Sequence, residues 1–165
     1  MGDRKGRPYA NPVLQEVFMS RILDTQSYLD AVCDLLREGH THVSVTVAGT
    51  SMTPFFDPGD TVFLDLPAGP INLGDVILFR RFGEQYVLHR VVGIFPDGSL
   101  ELLGDAQIRS ERVLPDQVCA VVTAIRRGGK LLDANSLRWR FFRGPWRHVR
   151  RLRPYVNRIR NQFRR

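Results

Sequence analysis

Ser51 lies in the stretch 47-VAGTSMTPFFDPGD-60, between a valine-rich run and a Pro-Gly turn. A serine hydroxyl becomes a nucleophile only when a neighbouring base removes its proton. His89 is a candidate base because it lies inside the apolar run 86-YVLHRVV-92, and a neutral imidazole titrates near ~6.5. Taken alone, the two residues also fit a small polar residue at a strand end and a half-buried structural histidine.

A third group is needed to orient the imidazole. The stretch 103-LGDAQIRSERVLPD-116 supplies three acids, Asp105, Glu111 and Asp116. Asp105 follows a glycine at a predicted strand end, where its carboxylate either points back across the sheet or caps the turn. Spacing alone favours the turn-capping role for this residue.

Five segments, read in order, resemble the type I signal peptidase family, within the wider clan that includes self-cleaving repressor domains. They are 49-GTSMTP-54, 58-PGD-60, 74-GDVILFR-80, 87-VLHRVV-92 and 104-GDA-106. The resemblance covers roughly residues 43–125. A histidine at the base position is similar to the archaeal and endoplasmic-reticulum subtype, whereas most bacterial members have lysine there.

The resemblance implies a catalytic role for four residues. Ser51 would be the nucleophile and His89 the general base. Of the two acids that matter in the histidine subtype, the first matches Asp105 and the second falls at Glu111. The implied activity is that of a serine endopeptidase.

The residues around the serine would form the oxyanion hole and the substrate groove. Signal peptidases usually carry a serine two positions before the nucleophile, but this chain has Gly49 there, followed by Thr50. The hole would therefore use the Ser51 backbone N–H, helped by Thr50. Met52 and Pro54 would shape the turn and the groove.

The elements that must position these residues are mostly strands. Short β-branched runs separated by Gly, Pro and Asp turns predict a mainly β fold, an antiparallel sheet or partly open barrel, over residues 41–127. The predicted strands are 43–47, 61–66, 75–81, 86–95, 99–103 and 118–125.

Different compositions flank this predicted domain on both sides. Residues 1–10 are expected to form a flexible arm, and 11–40 an amphipathic helix that Gly39 terminates. Residues 128–165 form a basic tail in which Arg alternates with aromatic residues, broken by Pro145 and Pro154.

The charge is concentrated in this tail. The chain carries +7, yet residues 134–165 contain eleven Arg and no acid, so residues 1–133 have 13 basic against 17 acidic residues, a net charge of −4. Such a tail fits an anionic membrane surface, an acidic protein partner, nucleic acid (less favoured), or a solvated segment without a fixed partner. The residues expected to make the membrane or polyanion contact are Arg138, Trp139, Arg140, Arg143, Trp146, Arg147, Arg150 and Arg151.

Several functional classes are disfavoured by the sequence. The longest apolar run, 118–125, is far shorter than the ~18 residues of a membrane span, and no secretory signal is visible. Cys33 and Cys119 lack metal-ligand spacing and are expected to be reduced core residues. We therefore expect no metal or cofactor, and a cytoplasmic protein, peripheral on the inner face of the membrane if the tail binds lipid.

The leading hypothesis is an endopeptidase that cleaves an extended precursor peptide or preprotein after small residues by a Ser-His mechanism. Two alternatives have the same fold. One is a regulatory domain that cleaves itself or a bound partner, although a single helix is too little for a DNA-binding helix-turn-helix module. The other is a non-catalytic module that binds a peptide.

Overall fold

The computed structural model describes residues 25–82 and 85–148, and these residues fold around one antiparallel sheet of eight strands. The predicted mainly β, antiparallel class is confirmed. The strands are β1 (Val43–Thr46), β2 (Thr61–Asp65), β3 (Val76–Arg80), β4 (Tyr86–Ile94), β5 (Leu100–Leu103), β6 (Glu111–Val113), β7 (Val118–Arg127) and β8 (Lys130–Asp133).

The strand order is β1-β2-β7-β3-β4-β5-β6, and β8 pairs with β7 beyond the end of β3. Along this path β1 and β6 are the two terminal strands. All six predicted strands are present. β6 and β8 were not predicted, because runs of three and four residues show too little alternation to stand out from the turns around them.

The sheet buries apolar side chains on both faces. In β3, Val76 and Leu78 join the cluster that lies beneath the helices, while Ile77 and Phe79 pack into a second cluster with residues of β4 and β5. This explains the continuous apolar run 76-VILF-79, since a strand covered on one face only would alternate apolar with polar residues.

Helix α1 (Thr25–Arg37) packs on the first of these faces. Val32, Cys33 and Leu36 are its buried residues. The chain leaves the helix through Gly39, whose φ of 94° is a left-handed conformation that glycine adopts without strain. Residues 1–24 lie outside the described residues, so the predicted arm and the first part of the predicted helix 11–40 stay predictions.

The basic segment folds back onto the domain. After β8 come α2 (Leu137–Arg143) and the short α3 (Pro145–His148). The Ser136 hydroxyl caps α2 by accepting a hydrogen bond from the Trp139 N–H at 3.2 Å. Among the described residues, no helix is long and apolar enough to cross a membrane.

Trp139 and Trp146 correct one of the sequence expectations. Both were expected at a membrane or polyanion surface, but they are only 6% and 5% exposed. They lie in the core cluster with Phe55 and Phe142, and the Trp139 ring meets the Phe55 ring edge-on at 5.4 Å between centroids. Large aromatic rings bury more apolar area here than an interfacial position would offer.

Candidate active site

Ser51 opens a compact turn between β1 and β2. The turn is closed by the Thr53 N–H, which donates to the Thr50 carbonyl at 3.1 Å, and by the Phe56 N–H, which donates to the Met52 carbonyl at 2.9 Å. The apolar side chains of Met52, Phe55 and Phe56 are buried. The apolar residues after the serine therefore anchor the turn in the core and fix the backbone of Ser51.

A second loop, which follows β5, supports this turn from behind. The Ala106 N–H donates to the Ser51 carbonyl at 2.8 Å. The approach of the two backbones requires Gly104, because a Cβ at that position would lie 2.7 Å from the Ser51 carbonyl oxygen. The loop that begins at Gly104 therefore supports the turn of residues 50–56. We call residues 50–56 the nucleophile turn, after the role predicted for Ser51.

Ser51 and His89 line the same cavity, of about 370 Å³. Thr25, Tyr28 and Leu29 of α1 form one of its walls. The opposite walls come from the end of β1 and from the first half of β4.

His89 is buried at 1% exposure, 5.9 Å from the Phe79 ring. Its Nδ1 lies 2.9 Å from Oε1 of Glu111, although the N–H direction departs from the line of a well-aligned hydrogen bond. Its Nε2 has no hydrogen-bond partner within the described part of the chain. Burial lowers the pKa of His89 below its usual value, and the Glu111 carboxylate opposes this effect only in part.

Glu111 is held in place by Arg81. The guanidinium donates from Nε and Nη2 to the two carboxylate oxygens, each at 2.7 Å. Burial alone would raise the pKa of Glu111, but the hydrogen bonds and charge of Arg81 outweigh it and lower the pKa. A carboxylate that stays ionised and fixed beside Nδ1 favours the tautomer that leaves Nε2 free to accept a proton.

Asp105 is bound by an arginine of β4. Its carboxylate accepts hydrogen bonds from Nε and Nη2 of Arg90, at 2.9 and 2.7 Å, and both side chains are fully buried. His89 and Arg90 are consecutive residues of β4 and point to opposite faces of the sheet. The supporting role predicted for Asp105 stays a prediction, because Arg90 binds its carboxylate directly while the charge of Asp105 still acts to raise the pKa of His89.

The residues predicted for the oxyanion hole and groove separate into two groups. Gly49 and Met52 line the cavity, whereas Thr50 and Pro54 do not. The Thr50 carbonyl is engaged within the turn, where it also accepts the Thr53 hydroxyl at 2.9 Å. The Pro54 carbonyl accepts a hydrogen bond from Arg138 of α2.

The predicted tail arginines also separate. Arg138 is half-buried against the nucleophile turn, and Arg143 pairs with Asp75 at 3.0 Å. Arg140 is exposed. The remaining predicted contacts have side chains outside the described residues: Arg147, Arg150 and Arg151.

Two strand edges border the cavity, and some of their backbone groups have no hydrogen-bond partner among the described residues. The Val47 N–H donates to the Asp60 carbonyl on the β2 side at 2.8 Å. Because successive residues of a strand alternate in direction, Thr46 directs its N–H and C=O to the free edge of β1. Residues 86–88 of β4 pair with β3 only, since pairing with β5 begins at Arg90. An extended chain would find hydrogen-bond partners at both edges.

These features define a mainly β domain in which a serine and a histidine line one cavity, with a carboxylate beside the histidine. A sequence profile of the Peptidase S24-like family matches residues 14–125, about two thirds of the chain. The chain belongs to this family. A search among curated proteins finds no match. The predicted wider clan is confirmed, and membership supports a peptidase or self-cleaving fold.

Sequence reasoning missed Arg81, Arg90 and Gln107 as site residues. Arg81 and Gln107 line the cavity, and Arg90 holds Asp105. Arg90 could have been found from its position directly after His89 in a predicted strand. Because side chains alternate along a strand, Arg90 lies on the face opposite His89. For Arg81 no local signal exists, because its partner lies thirty residues away on another strand.

Proposed function

We propose that this protein is a serine endopeptidase in which Ser51 is the nucleophile, His89 the general base and Glu111 the group that orients the base. One observation carries the proposal. The serine and the histidine line one cavity, and the histidine has a carboxylate 2.9 Å from Nδ1 on the side away from its free Nε2. A nucleophile, a base and an orienting acid are the three parts that acyl transfer requires.

The proposed reaction runs through an acyl-enzyme. The Ser51 oxygen attacks the scissile carbonyl carbon while His89 Nε2 takes the hydroxyl proton. Nε2 then returns this proton to the leaving amine as the C–N bond breaks. Water, deprotonated by the same nitrogen, hydrolyses the ester and restores Ser51. Glu111 stabilises the imidazolium that forms in both halves of the reaction.

The substrate we propose is an extended peptide that lies between β1 and β4. The free edges at Thr46 and residues 86–88 support this, because an added strand would satisfy their backbone groups. The Ser-Met-x-Pro block and the histidine base support a likeness to signal peptidases of the histidine subtype. We therefore expect cleavage after small residues.

Labelling with a fluorophosphonate at near-neutral pH tests the proposal. We expect the wild-type chain to be labelled, and Ser51→Ala and His89→Ala to lose labelling while keeping the circular dichroism spectrum of the wild type. Ser110→Ala is the matched control, since this hydroxyl binds Glu101 outside the cavity. A folded wild-type chain that remains unlabelled would favour a non-catalytic peptide-binding module.

The cleavage specificity needs a separate experiment. A peptide library in which the residue before the cut varies should give products mainly at Ala, Gly and Ser when digested with the wild type, and none with Ser51→Ala. Cleavage mainly after large or charged residues would reject the likeness to signal peptidases and leave the endopeptidase proposal standing.

Self-cleavage is a second candidate, favoured by the position of α1. Thr25, its first residue, lines the cavity, so the preceding chain is joined to the domain at the cavity wall. Incubation of purified protein should then produce a truncated chain in wild type but not in Ser51→Ala, at a rate independent of protein concentration. A rate that rises with concentration would indicate cleavage between molecules instead.

A further inference from the structure

Helix α2 presents two unlike faces. Trp139 and Phe142 point into the core and are each 6% exposed. On the opposite face, Leu137 and Phe141 lie one turn apart and are 81% and 47% exposed, with Arg140 beside them. We call Leu137, Arg140 and Phe141 the outer face of α2. Two large apolar side chains on one exposed turn form a patch that folding of the described residues does not cover.

The neighbouring arginines differ in how they are engaged. Arg138 and Arg143 flank the outer face and are tied to the domain, through the Pro54 carbonyl and Asp75 respectively. Arg140 makes no side-chain hydrogen bond or ion pair with any described residue. The chain then continues into residues 149–165, which contain seven Arg and no acid. Of the described residues at the outer face, Arg140 therefore supplies a positive charge that no described acid neutralises.

A depression of about 560 Å³ adjoins the outer face. It is lined by Arg140 and Arg143, by Asn135, and by Leu73, which is itself 40% exposed. Guanidinium and amide donors beside exposed apolar side chains suit a phosphate ester attached to an acyl chain.

We propose that the outer face of α2 docks on an anionic lipid surface, with Leu137 and Phe141 in the headgroup–acyl boundary and Arg140 on the lipid phosphates. An aliphatic residue as exposed as Leu137 gains free energy by leaving water for a membrane interface, whereas single-stranded nucleic acid rewards aromatic stacking. The sequence after α3 is also basic, with seven Arg and no acid in residues 149–165, and such a composition favours anionic lipid in general. The two buried tryptophans take no part.

Flotation of the full-length chain tests this. The probes are vesicles of phosphatidylcholine alone and of phosphatidylcholine mixed with phosphatidylglycerol. We expect flotation only with the mixed vesicles, weakened by salt, and an approximately tenfold weaker partition for the double variant Leu137→Ser/Phe141→Ser. Ile94→Ser is the matched control, because Ile94 is also 47% exposed but lies on β4. It should float like the wild type.

Three outcomes would overturn the proposal. Equal flotation of the double variant and the wild type would show that the arginines bind without the outer face. Equal binding to both kinds of vesicle would show that the protein does not recognise the negative charge of the lipid. Failure on both, combined with binding of a single-stranded oligonucleotide, would assign the basic segment to nucleic acid. Circular dichroism of each variant separates these results from loss of folding.

Discussion

Two consecutive residues of β4 pair with acids in opposite ways. His89 lies beside Glu111, whose side chain is 28% exposed, and the imidazole borders a cavity. Arg90 pairs with Asp105 on the other face, and neither side chain has any exposed area. In the proposed mechanism the first pair exchanges a proton with the substrate, whereas the second is closed off from the cavity. Because side chains alternate along a strand, β4 places His89 at the cavity and Arg90 in the buried core on the other face.

The buried Arg90–Asp105 pair nevertheless contacts the segments that position Ser51. Arg90 donates a third hydrogen bond, to the Gly74 carbonyl at 2.8 Å, and its guanidinium lies 4.6 Å from the centre of the Phe55 ring. Asp105 follows Gly104, on which the Ser51 carbonyl rests. The pair therefore joins β4, the nucleophile turn and the loop after β5, whereas Glu111 contacts His89 and Arg81.

Asp105→Asn should cause the largest loss of stability. An amide cannot neutralise Arg90, and an unpaired charge in a fully buried position costs about 3–5 kcal/mol. Chemical denaturation should show a drop of this size. For Glu111→Gln we expect about 1 kcal/mol or less, because the Arg81–Glu111 pair is partly exposed.

The double variant Arg90→Met/Asp105→Leu sharpens this comparison. With both charges removed together, no unpaired ion is left in the core, so stability should recover most of the loss seen in Asp105→Asn. If Asp105→Asn is as stable as the wild type, the Arg90–Asp105 pair does not stabilise the fold. The expected difference in stability between Asp105→Asn and Glu111→Gln would then be absent.

Glu111→Gln should reduce kcat/KM by about 10²-fold with little change in stability. The glutamine amide cannot stabilise the imidazolium that forms when His89 takes the serine proton. Steady-state hydrolysis of a cleaved peptide measures the effect. Glu101→Gln is the control, since this acid binds Ser110 outside the cavity. Equal losses in the two variants would contradict an orienting role for Glu111.

The sequence predicted the strands better than it predicted the contacts of individual side chains. The runs of β-branched residues located β1 to β5 and β7, and the residues around Ser51 and His89 pointed to a nucleophile and a base. The pairing of Asp105 with Arg90 and the place of Glu111 beside His89 were not predictable from spacing. It depends on which face of β4 each acid reaches, and Glu111 reaches it from β6, a strand of three residues.

The C-terminal segment is a second region in which the sequence did not predict the side-chain contacts. Its alternating Arg and aromatic residues predicted one surface, but the period of α2 divides them between core and solvent. Trp139 became a core residue because Phe55, eighty-four residues earlier in another loop, offered it an apolar partner. The composition of the segment shows how many Arg and aromatic residues it has, but not which of them pack into the core.

Gly104→Ala should reduce the rate of fluorophosphonate labelling by about tenfold. The added Cβ would lie 2.7 Å from the Ser51 carbonyl oxygen, so the nucleophile turn must shift by several tenths of an ångström. Gly69→Ala is the matched control, because nothing lies within 4 Å of a Cβ there. An unchanged rate for Gly104→Ala would show that the loop after β5 does not fix Ser51.

Arg81→Gln should have the smallest effect on the rate at neutral pH, because Glu111 itself remains, and its distinctive signature should be a change in the pH profile. The reaction needs neutral His89, whose pKa lies below its ordinary value of 6.5, so activity is full at neutral pH and falls as pH drops through that lowered pKa. Burial is the main cause, and the positive charge of Arg81 lowers the pKa further. Removing that charge should raise the pKa and move the acid limb of kcat/KM to higher pH. Arg81→Lys keeps the charge and should leave the limb in place, so a shift in both variants, or in neither, would mean that the base responds to something other than this cation.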